Sequence, residues 1–112
     1  MGRSDDMLIV KGVNVFPSQI ETVLINQGFP PNYQIIVTRS KNSDNIEVQV
    51  ELTPVMAADS TFDRELARKK LVSGLKGMLG ILAEVTLVEP KTIARSEGKA
   101  VRVIDKRNLY QN

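Results

Sequence analysis

The clearest structural signal in the chain is a strict alternation of apolar and polar residues from position 46 to 52. Its apolar members are Ile46, Val48, Val50 and Leu52, and its polar members are Glu47, Gln49 and Glu51. Successive side chains of a strand point to opposite faces, so this pattern predicts a strand with one face on a core and the other in water. The β-branched segment 33–39 predicts a partner strand, joined to it by the polar turn 40–45.

Helical patterns flank this predicted hairpin. Pro17 suits the first position of a helix, and Ser18 with Glu21 matches a Ser-x-x-Glu capping box. Gly28 is placed to end that helix. A longer helix is predicted from 61 to about 79. Its apolar stripe consists of Ala67, Leu71, Leu75, Met78 and Leu82.

The order of the remaining elements sets the fold class. They are a hairpin over 7–15 with Lys11-Gly12 as its turn, a loop over 54–60, a strand over 84–88, a loop over 91–100 and a short strand over 101–104. This order predicts an α+β fold, a ferredoxin-like two-layer αββαβ sandwich with an N-terminal β-hairpin and a C-terminal loop.

Composition excludes several classes of protein. The 112 residues fit one domain and contain neither cysteine nor histidine. A disulfide framework, a thiolate nucleophile, Ser-His-Asp catalysis and a histidine zinc site are therefore excluded. No apolar run approaches the ~20 residues of a membrane span, and no signal peptide is expected. We expect a cytoplasmic protein with no membrane partner.

Positive charge is concentrated near the C-terminal end. Segment 91–107 holds six basic and two acidic residues, a net charge of +4, within a chain whose total is +2. This distribution indicates either an anionic ligand near that end or a solvated tail. Nucleic acid is a weaker alternative and is not expected as a partner, since aromatic residues make up only 4% of the chain.

Two segments combine glycine with charged residues. Residues 2–21 read GRSDDMLIVKGVNVFPSQIE, and residues 95–107 read RSEGKAVRVIDKR. Taken singly, each has an ordinary interpretation. Asp5-Asp6 is typical of a turn more than of a metal site, and Gly98-Lys99 of a turn with a solvated lysine.

Taken together, the two segments carry a specific resemblance. Residues 2–21 closely resemble the hinge motif of the acyl-adenylate-forming ligases, and the VNVFP run at 13–17 looks like the phenylacetate–coenzyme A ligase branch. Residues 95–107 are similar to the terminal catalytic-lysine motif of that branch. The resemblance implies that residues 1–112 form a C-terminal lid domain of a larger ligase. Its parts would be a hinge and hairpin over 1–16, a core over 17–90, and a catalytic-lysine loop with the final strand over 91–107.

The resemblance also implies an activity. An aryl acid such as phenylacetate would react with ATP to give an acyl-adenylate and pyrophosphate. The lid would then rotate, and coenzyme A would attack to give a thioester. The partner of the lid would be its own N-terminal adenylation domain, which would bind most of the ATP and Mg²⁺. The isolated lid is expected to be inactive.

Four residues match functional positions of the family motifs, and a fifth lies beside one of them. Lys99 matches the catalytic lysine, Asp5 the hinge aspartate, and Arg3 the arginine that contacts the nucleotide. Gly12 matches the hairpin position that lines the coenzyme A tunnel, and Asn14 lies beside it. The alternative is a free-standing ferredoxin-like regulatory or ligand-binding module, in which these residues would have no catalytic role.

Overall fold

The computed structural model describes residues 7–93, 95–96, 99–100 and 103–107, with the backbone alone at 95–96 and 99–100. The elements are β1 (Leu8–Val10), β2 (Val13–Val15), α1 (Pro17–Asn26), β3 (Tyr33–Ser40), β4 (Ser43–Glu51), α2 (Pro54–Ala58), α3 (Arg64–Leu79), β5 (Glu84–Val88), β6 (Arg95–Ser96), β7 (Lys99–Ala100) and β8 (Val103–Asp105). The predicted α+β class, with its αββαβ core and N-terminal hairpin, is confirmed.

A four-stranded sheet in the order β5-β4-β3-β8 forms one layer. The central pair β3–β4 is antiparallel, and the outer pairs β4–β5 and β3–β8 are parallel. The turn between β3 and β4 is only two residues long. Lys41 and Asn42 both have positive φ, 53° and 65°, which is the type I′ geometry that matches the twist of a hairpin.

One face of this sheet and the two long helices form the core. The alternation of β4 places Ile46, Val48 and Val50 in the interior, as predicted. The other buried residues on these elements are Tyr33, Ile35 and Val37 of β3, Val85 of β5, Ile20, Val23 and Leu24 of α1, and Leu71, Leu75 and Leu79 of α3. Because the strand members share one face, α1 and α3 must cover that face as the second layer. In the part of the chain that the structure describes, no helix is long and apolar enough to cross a membrane.

The start of α1 differs from the prediction. Its N-cap is Phe16, whose backbone N–H donates to the Gln19 side chain at 2.9 Å. The predicted capping box of Ser18 and Glu21 is wrong, because Pro17 occupies the first helical position and the cap is therefore Phe16, two residues before Ser18. Glu21 instead accepts a hydrogen bond from the Tyr33 hydroxyl at 3.2 Å.

The end of α1 confirms the prediction for Gly28. Its φ is +88°, and its N–H donates to the Ile25 carbonyl at 3.0 Å. The next N–H, of Phe29, reaches back to the Leu24 carbonyl at 2.9 Å. These two bonds form a Schellman motif, which requires a left-handed residue at this position.

The predicted loop over 54–60 contains a short helix, α2. Thr53 caps it by accepting a hydrogen bond from the Met56 N–H at 3.1 Å, and Pro54 stands at its first position. The following helix, α3, begins at Arg64, three residues later than predicted. Asp63 sets this start, since its carboxylate accepts from the Leu66 N–H at 3.0 Å.

The apolar stripe of α3 is only partly as predicted. Leu71 and Leu75 are fully buried, but Met78 and Leu82 are 39% and 57% exposed. Leu79 continues the buried row instead. The helix ends at a left-handed Gly80, so Leu82 lies beyond the last turn and does not follow the helical spacing.

Candidate functional site

The β1–β2 hairpin carries two of the predicted site residues, Gly12 and Asn14. Lys11 and Gly12 form its turn with φ of 54° and 75°, a second type I′ turn. A Cβ atom added to Gly12 would meet no other atom within 4 Å. The glycine therefore serves the backbone conformation and leaves the hairpin tip open. Asn14 lies on β2 opposite Ile9, and both are exposed.

The register of this hairpin determines which backbone N–H and C=O groups are not paired between β1 and β2 and can bind other groups. In a two-residue hairpin the pair flanking the turn, Val10 and Val13, is hydrogen-bonded, so the next pair, Ile9 and Asn14, is not. The polar backbone groups of Ile9 thus point away from β2. The buried side chains of Val10 and Val15 attach one face of the hairpin to the core, and the exposed Ile9 and Asn14 lie on the opposite face.

A buried arginine from the C-terminal end of the domain meets the hairpin. The side chain of Arg107 is 4% exposed. Its Nε and Nη2 donate to the two carboxylate oxygens of Asp105, both at 2.9 Å. Its Nη1 donates to the Ile9 carbonyl at 2.7 Å and to Asp44 at 3.0 Å. One guanidinium therefore joins the hairpin, the start of β4 and the end of β8.

The carboxylates of this cluster are stabilised in their charged form. Hydrogen bonds from the Lys11 N–H and from the Arg39 side chain lower the pKa of Asp44. The hydrogen bond from Arg107 lowers the pKa of Asp105. Their contribution to stability is complete above the ordinary aspartate pKa of about 3.9. It is lost only as the pH falls through the lowered values, so the cluster is intact at neutral pH.

Residues 91–107, which we call the lysine segment, have more regular structure than predicted. The predicted loop over 91–100 contains the antiparallel pair β6–β7, in which Ser96 is opposite Lys99 and Arg95 is opposite Ala100. Lys99 is thus the first residue of the returning strand β7. The structure describes its backbone but not its side chain. Arg3 and Asp5 lie outside the described residues altogether, as does Val101 of the predicted final strand.

A buried carboxylate binds the backbone just before strand β6 of the lysine segment. Glu51, predicted to face water, is only 3% exposed. Its Oε2 accepts a hydrogen bond from the Ile93 N–H at 2.9 Å. This contact attaches the chain two residues before Arg95 to the end of β4. The alternation did not reveal it, because Glu51 occupies the same strand face as the half-buried Glu47 and Gln49.

Replacing Glu51 with alanine should lower the free energy of unfolding by about 1–3 kcal/mol, because the buried Ile93 N–H loses its acceptor. Glu51→Gln keeps an acceptor oxygen and should cost less. Glu84→Ala, at an exposed position of the adjacent strand β5, is the matched control and should change stability by less than about 0.5 kcal/mol. Urea denaturation of the 112-residue chain measures all three. Equal stability of Glu51→Ala and Glu84→Ala would contradict this role.

The other surfaces of the described structure carry no predicted site residue and no cluster suited to a metal ion. A groove of about 820 Å³ lies between the end of α1, α2 and the part of α3 up to Gly74, and no predicted site residue lines it. Among the described residues, no three acidic side chains converge as a metal ion would require. The hairpin and the lysine segment are thus the candidate functional site.

Comparison with known proteins identifies the family. A family profile described as the AMP-binding enzyme C-terminal domain matches residues 12–107. Phenylacetate-coenzyme A ligase of Escherichia coli (strain K12) is 43% identical over 109 residues, which are 96% of this chain and 25% of the relative. The chain thus spans about a quarter of the length of the curated relatives it matches.

Solved structures show the same fold. A domain of phenylacetate-coenzyme A ligase from Bacteroides vulgatus ATCC 8482 has a TM-score of 0.84 at 31% identity, over 97% of this chain and all of that one. 2-Hydroxyisobutyryl-CoA ligase with 2-HIB-AMP and CoA, in its thioesterification state, has a TM-score of 0.81 at 35% identity, over 96% of this chain and 23% of that one. The same ligase in its postadenylation state has a TM-score of 0.75 at 35% identity, over 93% and 22%.

The extent of the family match agrees with the sequence motifs. It runs from the tip of the hairpin to Arg107 and therefore includes the whole lysine segment. The resemblance stated from the two motifs is confirmed. This chain belongs to the family of AMP-binding enzyme C-terminal domains.

Proposed function

We propose that this chain is the mobile C-terminal domain of an ATP-dependent aryl-acid–coenzyme A ligase that acts on phenylacetate or a close analogue. The observation that carries the proposal is the family match over residues 12–107, which includes the hairpin tip at Gly12, strand β2 and the lysine segment in one domain. The identity to phenylacetate-coenzyme A ligases supports the substrate class.

Lys99 would act in the first half-reaction. The substrate carboxylate attacks ATP, pyrophosphate leaves, and negative charge accumulates where carboxylate and phosphate meet. A lysine ammonium is a compact cation that stabilises such charge when it is held in place. The β6–β7 pairing gives the backbone of Lys99 a defined position, which is what a positioned cation needs.

The β1–β2 hairpin would act in the second half-reaction. The coenzyme A thiol attacks the acyl carbonyl, the thioester bond forms, and AMP leaves. Gly12 at the exposed tip has no Cβ, so the backbone can approach a narrow pantetheine chain closely. Asn14 presents an exposed polar side chain two residues further along.

A rotation of the domain would exchange these two groups at one active site. Asp5 would be the pivot and Arg3 a contact to the nucleotide, with residues 1–16 as hinge and hairpin, 17–90 as core and 91–107 as the lysine segment. The N-terminal domain would bind the acid and most of the ATP with its Mg²⁺. No step assigned to this chain depends on a metal ion.

The test compares the full-length protein with the isolated chain. The full-length protein should catalyse phenylacetate-dependent ATP–pyrophosphate exchange and form the coenzyme A thioester. The isolated 112 residues should melt cooperatively, because they contain a complete core, and show no exchange with any aryl acid. Exchange by the isolated chain would overturn the proposal. Absence of both half-reactions from the full-length protein, across a panel of aryl acids, would favour a regulatory or ligand-binding module.

A further inference from the structure

The Arg107 guanidinium links segments that are far apart in the sequence. Ile9 is 98 residues away and Asp44 is 63 residues away. Lys11 strengthens the same link, since its N–H donates to Asp44 at 3.1 Å. We call Arg107, Asp105, Asp44 and the Ile9 carbonyl the arginine clasp.

The hairpin depends on such attachments. Two paired strands of three residues are marginally stable alone in water. Val10 and Val15 bury one face, whereas Met7 and Ile9 on the other are 44% and 54% exposed. The clasp acts at the edge of β1 that faces away from β2, through the Ile9 carbonyl that the hairpin register leaves available. It therefore fixes the orientation of the hairpin where the valines do not.

The contacts of the clasp require the planar guanidinium group of an arginine. Arg107 binds Asp105 through two parallel hydrogen bonds, which fix the plane of the guanidinium. Nη1 is then directed at both Asp44 and the Ile9 carbonyl. A lysine would keep the charge but has no planar fork to make these contacts together.

The clasp also connects the two halves of the candidate site. Arg107 is eight residues after Lys99 in the sequence and two residues after the end of β8, which is paired with β3 of the central sheet. The hairpin is thus attached to the segment that follows the lysine as well as to its own neighbours in the core.

We propose that Arg107, acting through Asp44 and the Ile9 carbonyl, is a positioning residue that makes the β1–β2 hairpin move as one rigid body with the rest of the domain, so that Gly12 and Asn14 enter the coenzyme A half-reaction in a fixed orientation. This inference rests on the proposed function.

The first experiment measures the clasp without catalysis. Amide hydrogen exchange is compared in the 112-residue chain and its Arg107→Lys variant. Exchange at Val10, Val13 and Val15 should become at least about tenfold faster, while Ile35 and Val48 in the central sheet keep their rates. Arg64→Ala, which removes an exposed ion pair with Glu89, is the control and should leave hairpin exchange unchanged. Unchanged hairpin exchange in Arg107→Lys, or equal acceleration throughout the core, would overturn the proposal.

The second experiment measures the half-reactions in the full-length ligase. Arg107→Lys should slow thioester formation from supplied acyl-adenylate about tenfold and change ATP–pyrophosphate exchange less than about threefold. Asp44→Asn weakens the same contacts, so it should also slow thioester formation more than it slows ATP–pyrophosphate exchange. Equal loss in both half-reactions would overturn the proposal while leaving the proposed function intact. A wild-type enzyme without either half-reaction would overturn the proposed function itself, whatever the exchange experiment shows.

Discussion

Replacing Lys99 with alanine in the full-length ligase should lower the rate of adenylation by about 10²–10³-fold. Thioester formation from supplied acyl-adenylate should stay close to the wild-type rate. The difference arises because only the first step needs a cation at the junction of carboxylate and phosphate. The measurement is ATP–pyrophosphate exchange beside single-turnover thioester formation in the same preparation.

Lys106→Ala is the matched control for this experiment, since Lys106 is an exposed lysine in the same basic segment. It should change neither half-reaction by more than about twofold, because a solvated charge contributes little. Equal losses in both half-reactions of Lys99→Ala would contradict the assigned role. No loss in either would return Lys99 to the role of a solvated surface lysine.

Replacing Asp5 with proline should have the opposite selectivity. Proline fixes its own φ near −65° and restricts the preceding residue, Ser4, so a hinge at this position loses its rotation. Pyrophosphate exchange should persist, while thioester formation should fall by at least about 10²-fold, because a misplaced group costs roughly that much.

Asp5→Ala is the control that separates rotation from charge. It removes the carboxylate but leaves the backbone free, so thioester formation should be much closer to wild type than in Asp5→Pro. The melting temperature of the domain should barely change in either variant. A large fall in melting temperature would show that Asp5 supports the fold, and normal thioester formation in Asp5→Pro would place the pivot elsewhere.

Local sequence patterns predicted most helices and strands correctly, because interactions between residues close in sequence determine where these elements begin and end. The alternation from Ile46 to Val50 could only bury one face of a strand, and Gly28 supplied a left-handed residue where α1 ends. The predicted loop over 54–60 failed for a related reason. Thr53 and Pro54 form a helix start whose single turn is too short to show apolar periodicity.

The contacts that support the site could not be predicted in the same way. Glu51 has the residue type and spacing of a solvent-facing position, but its carboxylate is buried and accepts a hydrogen bond from the N–H of Ile93, 42 residues away. Arg107 belongs to a recognisable motif, but its contact with Ile9 spans 98 residues. Such pairings depend on the complete fold, so no local window of the sequence contains them.

Domain rotation is the central claim, and a distance measurement tests it most directly. The chain has no cysteine, so a cysteine placed at the exposed Lys69 of α3 would carry the only spin label in this domain. A second label on the N-terminal domain allows pulsed electron paramagnetic resonance on the full-length ligase. We expect one distance distribution with acyl-adenylate alone and a clearly different one after a non-reactive coenzyme A analogue is added. In Asp5→Pro the second distribution should be absent. A single distribution common to both ligand states of the wild type would contradict the account.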